Sequence, residues 1–179
     1  MKKNSKALFV AHASIIAALY VVLTLFSNAL GLANYAIQIR FSEALTILPY
    51  FTPAAIPGLF VGCILSNTLT GCLPLDIIGG SIATLLGAIC TYKLRKWKYL
   101  SPLPPIIFNM LIIPPILSFV YQFEGTLYYF TLTVGIGEIL SCGILGTFLL
   151  LFLEKYRAKP VKALRVIILA FYLSSYENS

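Results

Sequence analysis

Six stretches poor in charge, divided by short polar breaks, make up most of this chain. Ala7–Ser27 carries no formal charge and is long enough to cross a bilayer, which takes about 20 apolar residues in a helix. Its small residues recur at four-residue spacing, Ala7 with Ala11 and Ala13 with Ala17, which predicts close approach by another helix of this chain or of a partner. Ile37–Pro49 is a shorter helix, interrupted afterwards by Pro49, Pro53 and Pro57. Ala54–Gly71 is the third span, with Gly58 and Gly62 forming a second small-residue face. Asp76 opens the fourth, which runs to about Tyr92. Pro102–Gln122 is the fifth, broken by Pro114 and Pro115. Thr126–Leu153 is the sixth and longest. The pattern predicts an all-α integral membrane protein, a compact bundle of six transmembrane helices over residues 1–157. Residues 158–179 follow as a basic and apolar tail, in which Val166–Leu173 is too short to span.

Composition agrees with that reading. The 179 residues are 59% hydrophobic and 11% charged, with a mean hydropathy of +0.91, whereas soluble domains carry about 25% charged residues. The net charge of +7 does not point to nucleic acid, because the cations collect at the ends of apolar runs. They lie at Lys2–Lys6, at Lys93–Lys98 and from Lys155 onward, and only Arg40 falls elsewhere. Six spans put all three clusters on one side, and the positive-inside rule makes that side, with both termini, cytoplasmic. Tyr92, Trp97 and Tyr99 among the Lys93–Lys98 cations then read as an interfacial belt. No signal peptide is expected, since the first apolar run is long and no cleavage site follows it. Cys63, Cys72, Cys90 and Cys142 lie in apolar segments without zinc-like spacing, so no metal or cofactor is expected, and the cysteines read as small buried hydrophobes. The single histidine, His12, reads as interfacial. Intramembrane catalysis, which wants a histidine or cysteine beside a carboxylate, finds little support.

The candidate chemistry lies in the few charged and amide side chains inside the spans. Such groups are costly at membrane depth, and they face the bundle interior, pair with one another or touch a ligand. Arg40 and Glu43, three apart, can share a helix face as a structural ion pair or as part of a site. Asp76 is placed to cap its helix, to serve a site, or both. Glu138 lies about 18 Å along its helix from Thr126, with no cation three or four residues away. Its partner must be another helix, a ligand or a proton. Arg40, Glu43, Asn67 and Asp76 all fall toward the outer ends of their spans, with Glu138 deeper, which predicts a polar pocket opening outward. Its candidate ligand-binding residues are Arg40, Glu43, Asn67, Asp76 and Glu138.

The stretches Ile37–Thr46 with Leu48-Pro49, Gly58–Cys63 with Asn67, Asp76–Leu86, and Gly137-Glu138 resemble the queuosine-precursor transporter family (QueT), the membrane substrate-binding subunits, or S components, of energy-coupling factor transporters. The likeness runs from about Ala7 to Tyr156. It implies a six-helix subunit that captures a 7-deazaguanine from outside and delivers it through a transmembrane coupling protein and two ATPase subunits. The Ala13–Ala17 pair resembles the face on which such subunits dock. This chain has no G-x-x-x-x-G-K-[ST] loop for ATP, so any ATP would be used by the partners. A 7-deazaguanine presents N1–H and a 2-amino group as parallel donors that one carboxylate accepts together, and Glu138 is the expected acceptor. Asn67, Gln38 or Asn109 would serve the 6-oxo group or ring nitrogens. Asp76 or Glu43 would balance an aminomethyl cation, and Tyr35, Phe41 or Tyr128 would stack on the ring. The competing expectation is a standalone secondary transporter of a nucleobase- or vitamin-like solute.

Overall fold

The computed structural model describes residues 2–32, 38–121 and 126–158. The expected tail beyond residue 158, Tyr35 and the Gln122–Gly125 loop lie outside them. Helix α1 (Lys2–Ala29) is followed by a 3-10 helix (Phe41–Tyr50), α2 (Ala55–Leu69), α3 (Pro74–Lys93), α4 (Leu103–Phe119) and α5 (Leu127–Glu138). A π-helical stretch (Ile139–Leu145) carries α5 directly into α6 (Gly146–Ala158). Among the described residues there is no strand. The six expected segments therefore appear in order as α1, the 3-10 helix, α2, α3, α4 and the α5–π–α6 rod. Four of them are long and apolar enough to cross a membrane: Lys6–Ala29, Pro74–Lys93, Lys98–Phe119 and Leu127–Lys155. Helix α2 is apolar but has 15 residues, and the 3-10 helix, at about 2 Å per residue, extends roughly 20 Å against a hydrocarbon core of about 30 Å.

The short helix is held in place by α1. A Cβ on Gly58 would come within 2.7 Å of the Ala13 carbonyl oxygen, and one on Gly62 within 3.0 Å of the Ala17 carbonyl oxygen. Residue 13 meets 58 and residue 17 meets 62, so α1 and α2 run parallel, and the chain between them must return along the bundle. The 3-10 helix makes that return. Three polar rungs fasten it to one face of α1. Ser27 Oγ accepts the Phe41 N–H at 2.8 Å, Thr24 Oγ1 donates to Ser42 Oγ at 2.8 Å, and the Tyr20 hydroxyl donates to the Glu43 carboxylate. Tyr20, Thr24 and Ser27 recur at four and three residues, so one helix face presents all three. The core beneath combines Ile16, Tyr20, Leu45, Leu48, Ala55, Leu59, Cys63 and Ala88.

Several expectations change here. Ala13 and Ala17 do permit a close helix approach, but α2 of the same chain makes it. Arg40 precedes the 3-10 helix in extended conformation, φ −113° and ψ 113°, so it shares no helix face with Glu43. Asp76 is not a cap: the N-cap position of α3 is Leu73, with no side-chain cap bond, and Pro74 supplies the first turn. His12 is buried at 5% exposure rather than interfacial. At the end of the bundle carrying the Lys93–Lys98 cations, Lys98 pairs with Glu154 on α6, and Glu154 also accepts from the Tyr50 hydroxyl at 3.1 Å. The opposite end is closed by the α2–α3 turn, where Gly71 at φ +76° takes the left-handed conformation that favours glycine. The Cys72 N–H then donates to the Asn67 carbonyl at 3.0 Å, bringing α3 back beside α2.

Candidate ligand-binding site

One cavity is lined by Gln38, Arg40, Glu43, Asn67, Asp76, Asn109 and Glu138, the seven residues singled out in the sequence. Cys63, Gly80, Thr84, Ile113 and Val134 complete the wall. Its volume is about 40 Å³, enough for a few water molecules and too little for a fused two-ring base without movement of the lining. Asp76 sits in the first turn of α3, whereas Asn109 is ten residues from the Phe119 end of α4 and Glu138 eleven from the Leu127 end of α5. At 1.5 Å per residue the polar wall thus extends about 15 Å into the bundle.

Arg40 enters from the segment before the 3-10 helix. Its guanidinium donates to Asn67 Oδ1 at 3.3 Å and to Gln38 Oε1 at 3.4 Å. No carboxylate oxygen lies within 4.0 Å of it among the described residues, where the ion pair formed is Lys98–Glu154. Of the two alternatives for Arg40 and Glu43, the ion pair does not form, and two neutral amides hold the cation instead. The Arg40 segment is in turn pinned to the α5–π–α6 rod. Its backbone N–H donates to Ser141 Oγ at 3.2 Å, and the Gln38 carbonyl presses on Gly137 so closely that a Cβ there would overlap it.

The acids are held differently. Glu43 accepts from Tyr20, and the Cys142 thiol lies 3.9 Å from its other oxygen. Cys142 donates to Glu138 Oε2 at 3.1 Å, one helical turn along the same rod, and Asn109 lies against the Glu138 carboxylate. The π-helical stretch widens the rod where Ser141 and Cys142 turn inward, and π-turns recur at functional sites. Asp76 Oδ2 accepts from the Tyr121 hydroxyl at 2.9 Å, while the Tyr121 oxygen accepts the Leu73 N–H at 3.1 Å. Burial foremost, with the Asp76 bond and charge adding, pushes the Tyr121 phenol up to about 12, so it remains a donor across the physiological range.

Potential ligand atoms of Glu43, Glu138 and Cys142 lie within 4.8 Å of one another, the spacing of a cation site. The thiol is engaged as a hydrogen-bond donor to Glu138, and the Arg40 guanidinium shares the cavity. Their arrangement reads as a hydrogen-bonded cluster.

Sequence reasoning missed Tyr20, Cys63, Thr84, Tyr121, Ser141 and Cys142. Helical spacing was the available signal for four of them: Cys142 follows Glu138 by four, Cys63 precedes Asn67 by four, Thr84 follows Asp76 by eight, and Tyr20 heads the α1 polar face. Nothing local marks Tyr121, which is 45 residues from Asp76. Of the three aromatic candidates, the two described, Phe41 and Tyr128, do not line the cavity. Tyr128 is 73% exposed, Phe41 stacks on Phe26 at 5.9 Å, and the described lining contains no aromatic ring.

Apolar helices on the outside and a polar cavity between them define a multi-pass membrane protein. The chain belongs to the QueT transporter family, whose model matches residues 10–155. This is a family of transporters, not of enzymes. A relative from Lactococcus lactis subsp. cremoris (strain MG1363), named queuosine precursor transporter QueT, is 34% identical over 84 residues, 47% of this chain and 49% of the relative. The match thus spans about half the length of that relative. No solved structure matches the chain.

Proposed function

We propose that this protein is a membrane substrate-binding subunit. It captures a 7-deazaguanine queuosine precursor from outside and hands it to a transmembrane coupling protein driven by two ATPase subunits. The observation that carries the reading is the cavity: a half-buried carboxylate, Glu138, backed by Asn109 and sharing the lining with Arg40 and Asn67 from other elements. That set supplies an acceptor for N1–H and the 2-amino group, and amide or guanidinium donors for the 6-oxo group. The relative's printed name supports the same ligand class. The reading places six crossings in the membrane, with both termini and the Lys93–Lys98 cations on the cytoplasmic side, and residues 1–157 as the binding domain.

Equilibrium binding to the purified chain tests it, with 7-deazaguanine precursors as ligands and riboflavin and biotin as controls. Glu138→Gln replaces an acceptor oxygen by a donor amide, so affinity is expected to fall at least 30-fold, about 2 kcal/mol. Wild-type affinity in that variant would remove Glu138 from the site.

Docking on the coupling protein needs a face other than Ala13 and Ala17, whose approach is taken by α2. Ala11, Ser14 and Ala18 remain exposed on the other side of α1, and we assign docking to them. Ala18→Trp is expected to leave ligand binding intact and to abolish ATP-driven uptake in reconstituted vesicles. Uptake by the chain without ATPase subunits would instead favour a standalone secondary transporter.

A further inference from the structure

Helix α3 carries glycine at three close contacts, and they differ in what they meet. A Cβ on Gly87 would stand 2.9 Å from Pro105 Cα, and one on Gly79 would overlap Ile116 Cδ1. Both neighbours belong to α4, so these two glycines seat α3 on α4. Gly80 lines the cavity instead. A Cβ there would stand 3.1 Å from Asn67 Nδ2 on α2, tighter than an ordinary van der Waals contact.

Asn67 has no room to yield. It is 2% exposed. Its Oδ1 accepts from the Arg40 guanidinium at 3.3 Å, and a guanidinium offers donors only, which fixes the end of the amide that faces it. The Nδ2 end is thereby turned toward Cys63 Sγ, at 3.5 Å, and toward Gly80. Nor can α3 withdraw. Gly79 and Gly87 already press it against α4, and Thr84 Oγ1 donates to the Gly80 carbonyl at 2.9 Å while lying 3.5 Å from Cys63 Sγ of α2.

We propose that Gly80 is a positioning residue for ligand binding: by carrying no side chain it lets Asn67 hold the Arg40 guanidinium in the cavity wall. The proposal rests on the reading of this cavity as the 7-deazaguanine site, in which the amide and the guanidinium serve the 6-oxo group. A methyl group at residue 80 displaces the amide, and the Arg40–Asn67 contact is lost with it.

The test titrates 7-aminomethyl- and 7-cyano-7-deazaguanine into the purified full chain and carries whichever binds into the variants. Gly80→Ala is expected to weaken binding roughly tenfold or more. Gly79→Ala brings the same gain in helix preference and displaces only the end of the Ile116 side chain, so its affinity should stay within about threefold of wild type. Melting of the ligand-free chain supplies a second readout. Gly80→Ala should lower the melting temperature when Asn67 is present and raise it in an Asn67→Ala background, where the amide is gone and the helix preference of alanine remains. Equal losses of affinity in Gly79→Ala and Gly80→Ala would overturn the proposal. So would the same melting shift in both backgrounds, which marks a packing glycine like Gly79 and Gly87. Should Gly80→Ala fail to fold, recovery of folding in Gly80→Ala/Asn67→Ala supports the contact and continued failure overturns it. If neither base binds a monodisperse, cooperatively melting wild type, the 7-deazaguanine reading falls, and the sign of the melting shift alone upholds or overturns the Gly80–Asn67 contact.

Discussion

Gly137→Ala is expected to abolish ligand capture while leaving the bundle assembled. The substitution is conservative in an exposed helix, where alanine is favoured over glycine by about 1 kcal/mol. At residue 137 that gain is opposed by a collision. The new Cβ would overlap the Gln38 carbonyl, with the Gln38 backbone carbon at 3.2 Å. Both are main-chain atoms, so no side-chain rotation relieves the contact, and forced overpacking of this kind costs about 1–3 kcal/mol. The way out is for the Gln38–Arg40 segment to lift off the rod. That movement withdraws Gln38 and Arg40 from the cavity wall and breaks the bond from the Arg40 N–H to Ser141 Oγ. Binding isotherms should show a loss of 100-fold or more, about 2.7 kcal/mol. Thermal melting should fall far less than for a disrupted core. Ser141→Ala removes the same bond without the collision, and its milder loss, within tenfold, would separate tether from steric push. Unchanged affinity in Gly137→Ala would mean that the segment does not shape the site.

How much of this could be read from the chain depends on the kind of contact. Burial cost makes a charge inside an apolar run conspicuous, so Arg40, Glu43, Asp76 and Glu138 stood out, and the cavity does gather them with Gln38, Asn67 and Asn109. Helix positions followed from run length and from proline. Conformation inside the runs did not. Ile37–Pro49 has the hydrophobicity of a helix, yet Arg40 is extended, and the ten residues from Phe41, which return between parallel helices, wind as a 3-10 helix. The pairing of charges was equally hidden. Spacing suggested Arg40 with Glu43, but tertiary position gives Arg40 to Asn67, 27 residues away, and Glu43 to Tyr20, 23 residues away. Cysteine composition reads as apolar filler. The four-residue spacing of Cys142 from Glu138 was there to be read, and the fold brings the pair to the cavity as hydrogen-bonding neighbours.

Arg40→Met is expected to have the other large effect, on stability and binding together. Among the described residues the guanidinium is the one cation lining a cavity with three carboxylates. Methionine fills much of the same space and removes that charge, so the substitution separates electrostatics from volume. Two consequences add. Asn67 Oδ1 and Gln38 Oε1 lose their donor, and an orphaned buried acceptor costs about 1–3 kcal/mol. The carboxylates also lose their nearest compensating charge, but no direct ion pair is broken, so this loss stays below the ~3–5 kcal/mol of a disrupted buried pair. The expected total is about 1–3 kcal/mol, read as a lowered melting temperature in detergent. Ligand affinity should fall beyond measurement. Arg40→Lys refines the test, because it restores the charge but not the planar fork that reaches Gln38 and Asn67 from separate nitrogens. It should recover most of the melting temperature and little of the binding. Recovery of both would reduce Arg40 to a counter-charge. A stable Arg40→Met that binds normally would show that the three acids need no cation from the protein, and the Gln38–Arg40–Asn67 bridge would lose its place in the site.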